Sequence, residues 1–233
     1  MNQTATTHDP KYQEAVYVFE APVRIWHWLH AISIAVLCVT GYFIANPLPS
    51  LGGEASDHFL MGNMRLIHFI AGYVFTIAFL VRVYWAFVGN KYARELFLPQ
   101  FWKAAWWSDL IHELKYYLFL TRKSHKILGH NPLAQTAMWF FNVALTVFLI
   151  LTGFALYGEG LGQGSWADRW FGWVTVWLGS SLDVKMWHLL SMWLMIVFVV
   201  IHIYMAIRAD IMDRGSSIST MIGGWRMFKD DRP

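Results

Sequence analysis

The chain has 233 residues, of which 57% are hydrophobic, 18% aromatic and only 14% charged. Soluble domains carry about 25% charged residues, so this composition has too little polar surface for a water-soluble globule. Its hydrophobicity also excludes an intrinsically disordered chain, and its single cysteine, Cys38, excludes an internal disulfide bond. The composition therefore predicts an integral membrane protein.

Four stretches of sequence have the roughly 20 mainly apolar residues that a membrane-spanning helix needs. They lie at about residues 28–45, 66–88, 134–157 and 186–207. The residues before the first stretch lack the basic and apolar regions of a signal peptide, so we expect the first span itself to direct insertion. We predict an all-α membrane protein with one four-helix domain over residues 1–233.

Lysine and arginine are unevenly distributed among the segments that flank the predicted spans. The N-terminal arm, the second loop (residues 89–133) and the C-terminal tail hold most of the 18 basic residues, whereas the opposite side has only Arg65, Arg169 and Lys185. Because basic residues are retained in the cytoplasm, both termini and the second loop are predicted to be cytoplasmic. The same bias accounts for the net charge of +3 without a nucleic-acid partner.

The second loop is long enough to contain structure of its own. Residues 91–123 have apolar and aromatic side chains at helical spacing, interleaved with charged residues. This pattern predicts one or two amphipathic helices at the cytoplasmic surface, in contact with membrane lipid. The Gly-rich run at residues 158–164 lacks the strand and helix that flank a dinucleotide-binding loop, so no such site is expected there.

Ionisable residues within membrane spans are rare and usually functional, so the histidines of the spans are informative. His68 and His188 lie near the outer ends of the second and fourth spans, and His202 lies near the inner end of the fourth. His188 and His202 are fourteen residues apart, which separates them by about 21 Å on nearly the same helix face. This spacing suits two haems stacked across the membrane, each iron held by imidazoles from two facing helices.

The outer haem would be held by His68 and His188, and the inner haem by His202 with a histidine of the first span. Two imidazoles close both axial positions of the iron, which favours electron transfer over oxygen binding. His27 and His30 are both candidates for the inner position in the first span.

Two glycines bear on this choice. Gly41 follows His27 by fourteen residues, so with His27 at the inner level Gly41 falls at the outer level. There the absent side chain would let a porphyrin pack against the backbone. This favours His27, although depth alone leaves His30 open. The first and third spans end alike, with threonine and glycine before an aromatic residue, so Gly153 is also predicted to flank the outer haem. Close helix packing explains both glycines equally well.

Basic residues near the membrane surfaces are candidates for contacts with the anionic haem propionates. Arg65 and Lys185 are placed to serve the outer haem, and Arg24 and Arg208 are placed to serve the inner one. Arg82, low in the second span, could do the same or extend towards the interface. The positive-inside bias accounts for these residues as readily as a direct contact does.

The histidines also fit two roles outside electron transfer. They could be hydrogen-bonded residues of a haem-free anchor, or they could line a metal-transport path. Transport paths usually include acidic residues within the membrane, and none of the four predicted spans contains Asp or Glu. The remaining histidines lie outside the spans and are expected at the surface: His8, His58, His112, His125 and His130.

Several motifs resemble those of the b-type cytochrome subunit of membrane-bound Ni/Fe-hydrogenases, and the resemblance covers residues 17–225. The matching segments are APVRIWHW at 21–28, TGYF at 40–43, RLIHF at 65–69, YWAFVGN at 84–90, GHNP at 129–132, LTGFALY at 151–157, WH at 187–188 and HIYMA at 202–206.

The resemblance implies a cytochrome that anchors a hydrogenase on the periplasmic face of the bacterial inner membrane. It implies two b haems, with His27, His68, His188 and His202 as their axial ligands. Electrons from hydrogen oxidation would leave the iron–sulfur clusters of the small subunit, pass the outer and then the inner haem, and reduce a membrane quinone. The implied partners are that small subunit, with its single-span helix beside this bundle, and the large subunit.

The resemblance also implies where these partners bind. The outer loops, residues 46–65 and 158–186, would face the hydrogenase. The quinone site would lie beside the inner haem, where location makes Arg24, Tyr204 and Arg208 candidates. A similar four-helix cytochrome serves formate dehydrogenases and shares the fourteen-residue histidine spacing, so only the specific motifs favour hydrogenase.

Overall fold

The computed structural model describes residues 15–49, 58–121, 129, 131–212 and 216–227. Within them, four helices are long and apolar enough to cross a membrane. We call them span 1 (Ala21–Ala45), span 2 (Leu60–Val88), span 3 (Pro132–Leu161) and span 4 (Ser181–Met212). The prediction of an all-α membrane protein with four spanning helices is confirmed.

The spans are longer than hydropathy predicts. Span 1 begins at Ala21 rather than near residue 28, with Pro22 in its first turn, where a missing N–H removes no helical hydrogen bond. Span 2 and span 4 likewise begin at Leu60 and Ser181, before their apolar stretches. Hydropathy detects only the apolar residues that lie in the lipid, whereas the hydrogen-bonded helix extends beyond them into more polar sequence.

Span 3 is not a regular α-helix. A π-helical segment, Trp139–Ala144, separates the α-helical segments Pro132–Met138 and Leu145–Leu161. Single π-helical turns within α-helices are frequent at functional sites. This segment carries Asn142, whose side chain contacts span 1, so the irregularity lies at an interhelical contact.

The spans associate mainly as two pairs, span 1 with span 2 and span 3 with span 4. Aromatic rings join the pairs in the half of the bundle that holds the end of span 3. Phe69 of span 2 packs against Tyr157 of span 3, with ring centres 4.8 Å apart, and Tyr73 packs against Phe154 at 5.5 Å. Span 4 contacts span 1 as well, which closes the bundle.

The two ends of the described chain meet on one side of the bundle. Val16–Tyr17 forms an antiparallel pair with Trp225–Arg226, and a short helix, Ser217–Gly223, precedes the second strand. Neither strand is predicted by the sequence, because two-residue strands carry no periodicity.

Glu20 fixes the start of span 1 against the end of span 2. One oxygen of its carboxylate accepts hydrogen bonds from the indole N–H of Trp85 and from the backbone N–H of Asn90, both at 2.9 Å. The side chain of Asn90 in turn accepts a hydrogen bond from the backbone of Ala93 and so begins the next helix. These contacts close the side of the bundle at which the two ends of the described chain meet.

The described residues of the second loop contain two helices, Lys91–Glu95 and Ala104–Tyr117, in the segment for which one or two amphipathic helices are predicted. One face of the longer helix exposes Trp107, Ile111 and Leu114. Such an exposed apolar face beside the spans suits contact with lipid. The last two residues of the predicted segment, 122 and 123, lie outside the described part of the chain.

The loop after span 3 is more structured than the sequence predicts. It contains helices Trp166–Phe171 and Trp173–Leu178, and Gly162, Gly164 and Gly179 adopt positive φ angles at its turns. The first of these helices packs against the end of span 3 at the buried Gly158. In the predicted outer loop between spans 1 and 2, residues 50–57 lie outside the described residues.

Replacing Gly158 with alanine is expected to destabilise the folded protein by about 1–3 kcal/mol, the usual cost of overpacking. The added Cβ would lie 2.7 Å from the backbone nitrogen of Asp168. Gly160 is the matched control, because a Cβ there meets nothing within 4 Å and alanine favours the helix. Thermal unfolding in detergent measures both variants, and equal melting temperatures would contradict the packing argument.

Two histidine pairs form a candidate cofactor site

The structure brings the four predicted histidine ligands together as two facing pairs. His68 of span 2 faces His188 of span 4, with ring centres 6.5 Å apart. His27 of span 1 faces His202 of span 4, with ring centres 6.4 Å apart. We call these the outer pair and the inner pair, after the predicted sides of the membrane.

The separation of the rings tests whether each pair could bind one metal ion. A bond from a metal ion to an imidazole nitrogen is about 2.0 Å long. Two imidazoles on opposite sides of one ion therefore have ring centres about 6 Å apart, once the distance from each nitrogen to its ring centre is added. The separations of 6.4 and 6.5 Å in the two pairs match this value.

The number of side chains that could coordinate a metal at each site limits which metal-containing cofactors fit. Among the described residues, no three His, Cys, Asp or Glu side chains converge to hold a metal ion. Each site therefore offers two imidazoles from the protein and leaves the remaining coordination positions to another molecule. A haem fits this donor set, because its macrocycle supplies four nitrogens and leaves two axial positions.

Threonine side chains orient both rings of the outer pair. Nδ1 of His68 lies 2.8 Å from the hydroxyl oxygen of Thr40, and Nδ1 of His188 lies 2.8 Å from that of Thr152. Each hydroxyl donates its own hydrogen to the backbone carbonyl four residues earlier in its helix. The imidazole Nδ1–H must therefore be the donor to the threonine, which leaves Nε2 unprotonated and able to bind a metal.

The predicted glycines lie beside these threonines and directly against the outer pair. A Cβ at Gly41 would lie 3.2 Å from Cε1 of His68, and one at Gly153 would lie 3.3 Å from Cε1 of His188. The threonine–glycine repeat of the sequence thus corresponds to two similar units. In each unit, the threonine and glycine of one span support a histidine of the next span.

His30 occupies a different position from His27. Its ring is buried, stacks on Phe75 of span 2 at 4.3 Å, and places Nε2 3.2 Å from the side-chain oxygen of Asn142. These contacts direct His30 towards span 2 and the π-helical segment of span 3. The histidine of span 1 that faces His202 is His27.

The basic and tyrosine residues proposed for propionates or quinone have varied surroundings. Arg24 donates a hydrogen bond to the backbone carbonyl of Ile222, and the guanidinium of Arg208 lies 5.0 Å from the ring centre of Tyr116. Among these candidate residues, the side chains of Arg65, Lys185 and Tyr204 are exposed.

Sequence reasoning did not assign roles to Thr40, Thr152 and Asn142. The repeated threonine–glycine pair was visible, and its threonines could have been interpreted as partners of histidine. Asn142 had no such signal, because it lies in an otherwise apolar stretch and its role depends on the π-helical segment around it. The position of Arg82 in the sequence indicates its depth in span 2 but not the direction of its side chain, which is buried within the protein.

Known proteins are similar to this chain over nearly its whole length. The family described as prokaryotic cytochrome b561 matches residues 18–224. A protein of Azotobacter chroococcum mcd 1, described as a probable Ni/Fe-hydrogenase B-type cytochrome subunit, is 62% identical over 95% of this chain and 92% of its own. A protein of Cupriavidus necator with the same description is 52% identical, over 93% and 89% of the two chains. The probable Ni/Fe-hydrogenase 1 B-type cytochrome subunit of Escherichia coli K12 is 51% identical, over 91% of each chain.

The contact between His30 and Asn142 is expected to stabilise the bundle as an interhelical hydrogen bond. Such bonds in membrane proteins contribute about 0.6 kcal/mol on average and at most about 1.7 kcal/mol. A double-mutant cycle with His30→Leu and Asn142→Leu, followed by unfolding in detergent, should give a coupling energy in this range. A cycle of His30→Leu with Thr146→Val is the control, because the hydroxyl of Thr146 has no hydrogen-bond partner in the described residues. Equal coupling in both cycles would contradict the assignment.

Proposed function

This chain belongs to the prokaryotic cytochrome b561 family, and we propose that it is the dihaem cytochrome b subunit that anchors a Ni/Fe-hydrogenase to the membrane. In this proposal, electrons from hydrogen oxidation on the periplasmic side reach the membrane quinone pool through an outer and then an inner haem b. The observation that carries the proposal is the presence of two facing imidazole pairs, each with the ring separation that one bound metal ion requires.

The proposed axial ligands are His68 and His188 for the outer haem, and His27 and His202 for the inner haem. Haem b, when bound, supplies reversible one-electron chemistry. Two imidazoles would hold each haem and would leave no position for a further ligand such as oxygen. At the outer pair, the threonines hold the rings in the tautomer that presents Nε2.

Span 4 contributes one ligand to each proposed haem, His188 and His202. A single continuous helix therefore sets the distance between the two sites, which is about 21 Å along the helix axis for fourteen residues. Span 2 and span 1 supply the second ligands from opposite ends of the other helix pair. The relay needs no moving part, because its sites are fixed on rigid helices that run through the whole bundle.

The proposed orientation puts both termini and the second loop in the cytoplasm, with the bundle in the bacterial inner membrane. The distribution of basic residues supports it. The loop after span 3 would then face the periplasm, where Trp170, Val176 and Trp177 are largely exposed. This surface is our candidate contact for the hydrogenase small subunit, with its single-span helix and the large subunit beyond it. The names of the relatives support a hydrogenase as the partner.

We place the quinone site beside the inner pair, among the residues that precede span 1, the second loop and the end of span 4. Tyr204 follows His202 by two residues and is 62% exposed on the bundle surface, where a lipid-soluble molecule has access. Arg208 lies one helical turn further along and packs against Tyr116 and Tyr117 of the second loop. Arg24 approaches the same side of the bundle through its contact with Ile222.

The haem content of histidine variants tests the ligand assignment. The purified wild-type chain is expected to show a low-spin bis-histidine spectrum and two haem b per polypeptide. His27→Ala should lose one of the two, because it removes a ligand of the inner pair. His30→Ala is the matched control and should keep both, because His30 contacts Asn142 and Phe75 instead. Equal haem content in the two variants would refute this choice of ligand.

Hydrogen-driven reduction tests the function as a whole. In a complex of this chain with its hydrogenase, solubilised in mild detergent, hydrogen should reduce the b haems and a quinone analogue should then reoxidise them. Formate should reduce neither haem, which distinguishes the proposal from a formate dehydrogenase cytochrome. A chain without haem b, or haems that hydrogen does not reduce, would overturn the proposed function.

A further inference from the structure

Arg82 of span 2 is a buried cation at the depth of the inner pair. It follows His68 by fourteen residues, so it lies about 21 Å further along span 2 and on nearly the same face. Its guanidinium carbon is 5.3 Å from the ring centre of Trp26, the residue before His27. Span 2 thus contributes a histidine at the outer level and an arginine at the inner level.

In the described part of the chain, a carbonyl and two aromatic rings, rather than a carboxylate, surround the charge of Arg82. The side chain is only 2% exposed, and Nη2 donates a hydrogen bond to the backbone carbonyl of Ala93 at 2.7 Å. Aromatic rings of Trp26 and Phe97 cover the guanidinium. Nε and Nη1 have no hydrogen-bond partner, and no carboxylate forms an ion pair with Arg82 among the residues that the structure describes. A guanidinium remains protonated in proteins, so a full positive charge is buried here.

Extension of Arg82 to the membrane surface does not explain this arrangement. An arginine near the end of a span usually keeps its head group in water. Arg82 instead turns into the protein, into the same apolar cluster as Phe79 and Leu96. A buried charge of this kind is costly and is usually kept for function.

The outer level has the opposite electrostatic character. Both of its imidazoles donate Nδ1–H to threonines, and such hydrogen bonds make a ligand more basic and more electron-donating. At the inner level, Nδ1 of His27 is buried without a hydrogen-bond partner in the described residues. The cations nearest in sequence to the outer pair, Arg65 and Lys185, are exposed, so solvent screens their charges.

We propose that Arg82 makes the inner site the stronger electron acceptor of the two, and so sets the direction of electron transfer towards the inner side. The inference rests on the proposed dihaem function. A buried positive charge stabilises the site that has gained an electron, whereas electron-donating ligands at the outer level favour the oxidised site. One charge acting over the spacing of neighbouring helices at an effective dielectric constant of about 20 changes a one-electron equilibrium on the order of tenfold.

The first test uses the wild-type chain and the His27→Ala variant in potentiometric titrations of the haem absorbance. The wild type should titrate in two one-electron components, and His27→Ala should lose the component of higher potential. Loss of the lower component would overturn the proposal without any change at Arg82. Failure to find two haems would instead contradict the proposed function, so the two failures are distinguishable.

The second test removes the charge itself. Arg82→Met should shift the redox equilibrium of the component of higher potential about tenfold towards the oxidised form. This shift lowers its midpoint potential by about 59 mV for one electron. The potential of the other component should stay unchanged. Arg82→Lys, which keeps the charge, should restore most of the wild-type potential. Arg94→Met is the matched control, because Arg94 is an exposed cation on the same side of the bundle and its removal should shift neither component.

The outer level provides a test that does not alter Arg82. Replacement of Thr40 and Thr152 by valine removes the threonine hydroxyls that accept from the two Nδ1–H groups. The redox equilibrium of the component of lower potential should therefore shift towards the reduced form. If Arg82→Met retains both haems and moves neither potential, or if the Arg94 variant moves the higher component equally, the proposal is wrong.

Discussion

A polar group inside a membrane has no water to bind, so its hydrogen-bond partner must come from the protein. In this bundle three imidazoles of the spans have such a partner, and each of these contacts joins two helices. Thr40 joins span 1 to His68 of span 2, and Thr152 joins span 3 to His188 of span 4. Asn142 joins span 3 to His30 of span 1. These few bonds fix the relative positions of the spans and leave the Nε2 atoms of the outer pair for another ligand.

The bundle contains two helix pairs that are alike at one end and different at the other. At the outer level, a threonine and a glycine of the first helix in each pair support a histidine of the second. At the inner level, the two helix pairs contribute different residues. Span 1 contributes His27, span 2 contributes a buried arginine, and span 3 contributes an amide within a π-helical segment. Two similar helix pairs therefore contain histidine pairs with different polar surroundings.

The spans and the histidine pairs could be predicted because hydropathy and helical spacing determine them directly. Fourteen residues between His188 and His202 fix two depths on one face, whatever the rest of the bundle does. The burial of Arg82 could not be predicted, because depth alone does not say whether a long side chain turns outwards or inwards. The π-helical segment and the two-residue strands are also invisible in sequence, since they depend on contacts between residues far apart in the chain. The choice of His27 over His30 as a ligand depends on a spacing argument and stays a prediction; in the structure, His27 is the histidine of span 1 whose ring faces His202, and His30 contacts Asn142.

The pairing of Val16–Tyr17 with Trp225–Arg226 has a consequence for biosynthesis. The first strand is made before the four spans, and its partner is made after them. Both histidine pairs likewise depend on span 4, because it supplies His188 to one and His202 to the other. Spans 1–3 can therefore enter the membrane in turn without either site being formed. Neither histidine pair can form until span 4 has been made, and a chain truncated before span 4 presents only one histidine of each pair.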